Sequence, residues 1–577
     1  MKVAHWSTGQ RTSQMTNTRQ RTAIVPAAVM ASSTRARVLP ELFQHIALFL
    51  PSSLDMASFL TALPSSLRTP ALESLFMLHC AVAQSRLYFP KSDPTYPRRV
   101  HLWPNLVLPR YIAEAEIAVW IEKVMVLYPV VEVQHVAVPL PYPLLPSTKL
   151  AFDYPIYPHE LELVLRHWKD RAISILLLIS DNGQPHRGMT MDATIDVILR
   201  ALQSLPALRQ LELSWFGASM PLRFPSVLYA MTTSPITKVD FRDCHVEWDQ
   251  AMVVTLSHWL TTKPLVSLVL PKTSMHVGSL PLLRAALWAS RTLRSLYVSQ
   301  ANVVLELLSA LFQLPPTLTS LTLKPCRYAD LPTLLTALDK SHLTTLQLGF
   351  APAPPLTTTP AIATLLEVTL PSMTRLTKLR LDRIPISPVG SNALAAILPR
   401  LVEIVLKDNV LLDMGVLVLV SALPRCKKLQ KLRLSKQSCT DTSAMALARL
   451  LPLCPELREL DLSENCIQCP GAIALSAVIP CLDDLSLSSN EVGPDGAVAL
   501  VQAMARHAGT ALMTWLLLDF NPLGEEGVLS VVDVVAASAH RFGHIDLRCT
   551  VEDPIEIVNC EAAIEAMPYH EWCWWDA

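Results

Sequence analysis

The chain has 577 residues, with 48 Lys and Arg against 49 Asp and Glu, a formal charge of -1, 51% hydrophobic content and only 6% aromatic content. A single compact core does not grow to this length, so the chain is either several domains or an array extended in one dimension, and its abundance of leucine favours the array. The balanced charge argues against general binding to nucleic acid or to an anionic membrane, because both draw their affinity from a basic excess.

Residues 1–37 are rich in Thr, Ser, Gln and Arg and lack Asp and Glu. This composition fits a disordered basic leader, with a mitochondrial leader as the alternative reading. Met30 offers a second start, from which most of the leader would be absent.

Residues 38–82 read as a compact helical unit. Pro40 stands at a helix start, where its missing N–H costs nothing, and Leu42, Phe43, Ile46 and Leu50 recur at helical spacing. Pro51 ends that helix and "LDMASFLTAL" begins another. The segment resembles the opening of an F-box, with Leu39, Pro40, Glu41, Leu42, Ile46, Leu50 and Asp55 on the family pattern. That resemblance implies an adaptor-binding role for Leu39, Pro40, Leu42, Ile46 and Leu50. The family's Val-Cys-x-x-Trp finish is replaced by "LPSSLRTPALE", and a plain helical cap is the other reading.

Residues 83–205 are irregular. "HLWPNLVLP" and "VVEVQHVAV" alternate as strands do, residues 111–128 show helical spacing, and residues 158–180 read as helix then strand. The expectation is an α/β segment of degenerate early repeats.

Residues 206–555 carry a regular beat. The last apolar residue of each L-x-x-L-x-L unit is Leu213, Phe241, Leu270, Val298, Leu323, Leu348, Leu381, Leu406, Leu434, Leu462, Leu487, Leu518 and Leu547, at intervals of 25 to 33 residues. Within "LRELDLSEN" the alternation Leu460, Asp461, Leu462 predicts a short strand with one buried face. The run "PGAIALSAVIP" predicts a returning helix, with Gly471, Gly493, Gly496, Gly524 and Gly527 easing the turns into such helices.

These units resemble leucine-rich repeats of the ribonuclease-inhibitor-like subtype. The resemblance implies an α/β solenoid, a horseshoe with parallel strands inside and helices outside. Thirteen strands would line an inner arc of roughly 60 Å. It also implies an asparagine that hydrogen-bonds neighbouring turns, present as Asn409, Asn465, Asn490 and Asn521. Thr273, Ala301, Cys326, Ala351, Ile384 and Gln437 replace it elsewhere; Thr and Cys can serve similarly, whereas Ala and Ile predict looser turns.

Residues between the leucines face the concave side and are the candidate partner-binding set. Lys378, Arg380, Arg383, Lys407, Lys431, Arg433 and Lys436 read as a basic patch diluted by Asp382, Glu403 and Asp408. Glu459, Asp461, Glu464 and Asp484 read as an adjoining acidic patch, extended by Asp519 and Asp546. Opposed patches would orient a partner, although solvated strand faces also carry charge. Trp515, Phe520 and Trp215 are candidate exposed anchors or, alternatively, packing residues. Residues 556–577 end in Trp572, Trp574 and Trp575, expected to cap the solenoid, with a recognition segment as the alternative.

Twelve cysteines, from Cys80 to Cys573, sit mostly where Leu or Ala would pack, as reduced thiols of a cytoplasmic or nuclear protein do. The longest apolar runs fall short of the ~20 residues that span a membrane. No phosphate-binding loop, dinucleotide fingerprint or nucleophile elbow occurs, and the lone pair Cys466 and Cys469 lacks partners for a metal. The expectation is therefore no enzyme, cofactor, metal or nucleic-acid partner. The leading reading is a protein-binding F-box and leucine-rich-repeat receptor, which by resemblance would bring a protein to a cullin-type ubiquitin ligase. The alternatives are a Ran-GTPase-activating-type regulator and a scaffold or sensor without ubiquitin chemistry.

Overall fold

The computed structural model describes residues 40–50, 53–83, 102, 106–108, 115–133, 136, 144–180, 191–216, 223–242, 244, 247–273, 275–299, 303–304, 306, 314–338, 341–351, 359–507, 515–538, 544–551, 553–565 and 573–574. Among the described residues the first α-helices are α1 (Pro40–Ala47), α2 (Ser53–Ala62) and α3 (Pro70–Ala83). The third is longer than the reading of two short helices anticipates, and it packs on α4 (Ala115–Val124) at the start of the solenoid.

All the described strands join one parallel sheet of 18, each paired with its sequence neighbours. Its early strands are β1 (Leu106–Leu108), β2 (Val130–Val133), β3 (Lys149–Ile156), β4 (Ala172–Ser180), β5 (Gln210–Phe216), β6 (Lys238–Asp240), β7 (Ser267–Val269), β8 (Ser295–Val298) and β9 (Ser320–Cys326). Those that follow are β10 (Thr345–Phe350), β11 (Lys378–Asp382), β12 (Glu403–Lys407), β13 (Lys431–Ser435), β14 (Glu459–Asp461), β15 (Asp484–Ser486), β16 (Trp515–Leu517), β17 (His544–Asp546) and β18 (Cys573–Trp574). The sheet is longer than thirteen units predict: four strands precede β5 and one follows β17. At ~4.8 Å per strand its inner arc is on the order of 80 Å. Strand β3 has no counterpart in the sequence reading, since it lies just after a proline-rich link.

The leucine beat is the stacking register. Leu348, Leu381, Leu406 and Leu434 pair directly across β10 to β13. Leu462 and Leu487 follow immediately after β14 and β15, fully buried. Each such leucine contributes about 2 kcal/mol through burial, and a slip by one residue would turn that row into water.

Two devices tie one repeat to the next. The first is a ladder of buried amides. Asn465 Nδ2 donates to the carbonyls of Leu434 (2.9 Å) and Leu462 (2.8 Å), while its Oδ1 accepts from the backbone N–H groups of Gln437 (2.9 Å) and Cys439 (3.1 Å). Asn490 and Asn521 repeat the pattern. Gln437 joins it with a longer side chain, donating to Leu406 and Ser435, whereas Cys326 Sγ at the same position reaches the Leu323 carbonyl of its own repeat at 3.5 Å.

The second device is close helix packing at small residues. A Cβ on Gly471 would collide with Asp441 Oδ1 and stand 2.8 Å from Ile467 Cγ2; one on Gly496 would stand 3.0 Å from Ala472 Cβ. Gly471, Gly496 and Gly527 are therefore held by the approach of neighbouring helices, which corrects the reading of them as turn residues. Of the glycines read in that role, Gly524 has the positive φ that a turn of this kind needs, at 64°.

Candidate protein-interaction site

The inner wall is built from strand positions that alternate with the leucines. In register across β11 to β16, the first row runs Lys378, Glu403, Lys431, Glu459, Asp484, Trp515, and the second runs Arg380, Val405, Arg433, Asp461, Ser486, Leu517. The concave candidates of β11 to β16 are thus brought together on one surface.

That surface is not two opposed patches. Lys431 reaches Glu459 at 2.9 Å, Arg433 Nε donates to the same carboxylate at 2.5 Å, and Lys378 stands 3.5 Å from Glu403. Lys407 bridges two strands to Glu464 at 2.8 Å, and Lys436 pairs with Asp408 at 3.3 Å. Lys324 lies across Gly349, where a Cβ would stand 2.9 Å from its Cγ, and reaches Asp382 at 2.9 Å; Arg380 shares that carboxylate. The basic and acidic residues read from the sequence therefore pair with one another, because residues about one repeat apart in the chain, or two as for Lys407 with Glu464 and Lys324 with Asp382, are lateral neighbours in the sheet. Burial opposes ionisation of Glu459, but its contacts with Lys431 and Arg433 together hold its carboxyl below the usual range. Desolvation instead raises Asp519, despite a hydrogen bond from Ser488.

Two candidates are corrected. Trp515 is only 6% exposed and belongs to the packed wall, and Asp484 is buried as well. Of Trp515 and Phe520, the exposed one is Phe520, on the rim.

That rim has a backbone signature that sequence spacing does not reveal. Arg383, Asp408, Lys436, Glu464, Ser489, Phe520 and Cys549 all have φ between 52° and 60°. Each immediately precedes the ladder position. The left-handed turn lets the backbone N–H donate once more to the next repeat, as from Arg383 to Lys407 (2.8 Å) and from Glu464 to Ser488 (2.8 Å), before the chain leaves the sheet. Arg383, Lys436 and Glu464 thus stand on the rim, exposed, whereas Lys378, Arg380, Lys431, Arg433, Glu459 and Asp461 line the wall.

The N-terminal candidates sit on α1. Leu39 lies outside the described residues. Leu42 and Ile46 are exposed on one face, with Phe49, which the sequence reading passed over, 87% exposed one turn further on. Pro40 and Leu50 are half-buried, and Leu50 packs on the core. The opposite face is pinned by Phe43 against Phe59 at 6.4 Å, by buried Ala47, and by the hydrogen bond from Thr69 Oγ1 to Gln44 Oε1 at 2.7 Å. Arg68 donates to the carbonyls of Leu60 and Leu63, pairs with Glu73 at 2.9 Å and stacks on Phe76 at 3.9 Å. Beyond it, His79 is half-buried with its Nε2 shielded from water, and this desolvation lowers its pKa to about 4.

Among the described residues no three His, Cys, Asp or Glu converge as ligands of a metal would. No helix there is long and apolar enough to cross a membrane. Cys244, Cys326, Cys426, Cys439, Cys454 and Cys560 are unbridged and buried.

The curved parallel sheet, its returning helices and its asparagine ladder make this a leucine-rich-repeat solenoid. The Leucine Rich repeat family model matches residues 454–476 and 478–501, the repeats of β14 and β15. No curated protein matches the chain by sequence. Among solved structures, the Rad7 and Elc1 complex of yeast has 12% identity and a TM-score of 0.39, over 69% of this chain and 81% of that one. The mouse RP105/MD-1 complex has 13% identity and a TM-score of 0.31, over 77% and 74%. At these values neither says what this chain binds.

Proposed function

We propose that this chain is a protein-interaction scaffold of the ribonuclease-inhibitor-like subtype, holding a protein partner on its concave wall. Its N-terminal helices serve as an F-box-like module that docks on the adaptor of a cullin-type ubiquitin ligase, so that the scaffold acts as a substrate receptor. The observation that carries this reading is the division of α1: one face is pinned to the fold, while Leu42, Ile46 and Phe49 remain apolar and exposed. A plain cap would have little use for that second face. The wall supports the receptor role, since a broad surface of charged side chains suits a macromolecule better than a metabolite. Unbridged buried cysteines fit a reducing compartment, the cytoplasm or nucleus.

The test is capture of the full chain by the purified adaptor subunit, comparing wild type with Leu42→Asp and Ile46→Asp. Binding by wild type and its loss in both variants, with unfolding unchanged, supports the reading. Equal binding by all three, or no binding, overturns the adaptor role. Stimulation of GTP hydrolysis by a Ran-like protein would replace it with the regulator reading.

A further inference from the structure

Two places on the wall set two cations against one carboxylate, and each is a control for the other. On β13 and β14, Glu459 takes both Lys431 and Arg433. Between β9 and β11, Asp382 takes both Lys324 and Arg380. Lys324 Nζ donates to Asp382 Oδ2 at 2.9 Å, and Arg380 Nε donates to Oδ1 at 2.9 Å and Oδ2 at 3.0 Å.

The two places differ in what stands beside the arginine. In register, Arg433 has Asp461 as its neighbour on the following strand, whereas Arg380 has Val405 there and Gln347 on the preceding one. Glu403 of β12 pairs with Lys378, at 3.5 Å. The electrostatics follow from these neighbours. Burial opposes the charge of Arg433, but Glu459, Asp461 and Glu403 outweigh it and raise its pKa. Lys324 shifts the other way: burial lowers its pKa, Asp382 opposes this incompletely, and the charges of Arg380 and Arg242 add to it. The group around Glu459 is balanced by a further acid, and the group around Asp382 is one acid short.

Folding accounts for only part of the Asp382 group. Asp382 is 8% exposed, so its charge needs a partner, and one cation balances it. The second cation comes from two strands away: Lys324 crosses β10 over Gly349, where a Cβ would stand 2.9 Å from its Cγ. Arg380 is held through Nε alone, which fixes the guanidinium and leaves its two Nη groups without a hydrogen-bond partner among the described residues. The Lys324 and Arg380 side chains are 24% and 32% exposed, so these donors are open to the concave side.

We infer that Lys324 and Arg380 anchor a side-chain carboxylate of the protein held on the wall. The Arg380 Nη groups and Lys324 Nζ grip it on the side away from Asp382, and it supplies the charge that Asp461 supplies beside Arg433. A fixed guanidinium presenting two N–H groups side by side matches a carboxylate, and one missing negative charge suits this monoanion better than a phosphate dianion. The inference rests on the wall being the partner surface and adds the chemistry that the partner must present; it does not depend on the adaptor role.

The test selects binders of the full chain from a displayed random peptide library and measures the best of them, as synthetic peptides, by fluorescence anisotropy. Binders of wild type should share an Asp or Glu, and exchanging it for Asn or Gln should weaken binding about tenfold. Arg380→Gln and Lys324→Met should each weaken it by about as much, with the unfolding midpoint unchanged because the other cation still covers Asp382. If one variant unfolds earlier, the other decides; if both do, the cations belong to the fold and the inference fails. Binders without a shared acid, equal binding by wild type and both variants, or tighter binding when phosphoserine replaces the acid would also overturn it. Arg433→Gln, elsewhere on the wall, separates the two levels of failure: binders that it weakens still lie on the wall, whereas binders that no wall substitution weakens overturn the reading of the wall as well.

Discussion

The carboxylate of Asp441 accepts hydrogen bonds from the backbone N–H groups of Gln468 (2.8 Å) and Gly471 (3.0 Å), so an acid on the first turn of one helix caps the helix of the next repeat. The relationship needs both partners. The acid supplies charge at a helix N-terminus, and the glycine lets it come close.

Replacing Gly471 with alanine should break this cap by collision, because the new methyl would occupy the place of Asp441 Oδ1. The expected loss is about 2 kcal/mol, read as a lower midpoint in denaturant unfolding. Gly524→Ala is the comparison; space is open there, so its cost comes from φ alone and should be smaller.

Asn465→Ala should cost about 3 kcal/mol. It leaves the Leu434 and Leu462 carbonyls and the Gln437 and Cys439 N–H groups without their side-chain partner in a buried turn. Hydrogen exchange should speed up at the amides of Gln437 and Cys439 before it does in distant repeats, since coupling in a solenoid runs between neighbours.

His79 makes the N-terminal helices sensitive to acid. Burial lowers its pKa to about 4, and Nε2 has no hydrogen-bond partner among the described residues. The unfolded chain takes up a proton near pH 6.5 and the folded one does so only near 4, so this contribution is fully present above the unfolded value. It is lost as pH falls from about 6.5 towards 4, by roughly 3 kcal/mol. His79→Gln should flatten that slope in unfolding measured from pH 7 to 4.

The contact between Arg433 and Glu459 should show coupling of about 1 kcal/mol in a double-mutant cycle with alanine, falling as salt is raised. Coupling is modest because Arg433 is partly solvated and Lys431 competes for the same carboxylate. Protonating Glu459 removes the attraction. Its folded pKa is depressed, so the coupling is present above the ordinary glutamate range and lost as pH falls through the folded value.

The parallel solenoid was legible before any coordinate, because leucines such as Leu381, Leu406 and Leu434 recur with the period that stacking requires, and a buried row tolerates little else. Asn465, Asn490 and Asn521 were legible through the resemblance to leucine-rich repeats, and the structure supplies the physical reason: a buried turn needs an amide that both donates and accepts. What Lys431, Arg433 and Glu459 do to one another was not, because charge on a strand has no period and its partner is chosen by lateral register between repeats. Nor could spacing separate buried Trp515 from exposed Phe520, or show that Arg380 has Val405 beside it where Arg433 has Asp461. Local periodicity determined which side chains leave water; only the packing of one repeat against the next decided which of the remaining side chains stay available to a partner.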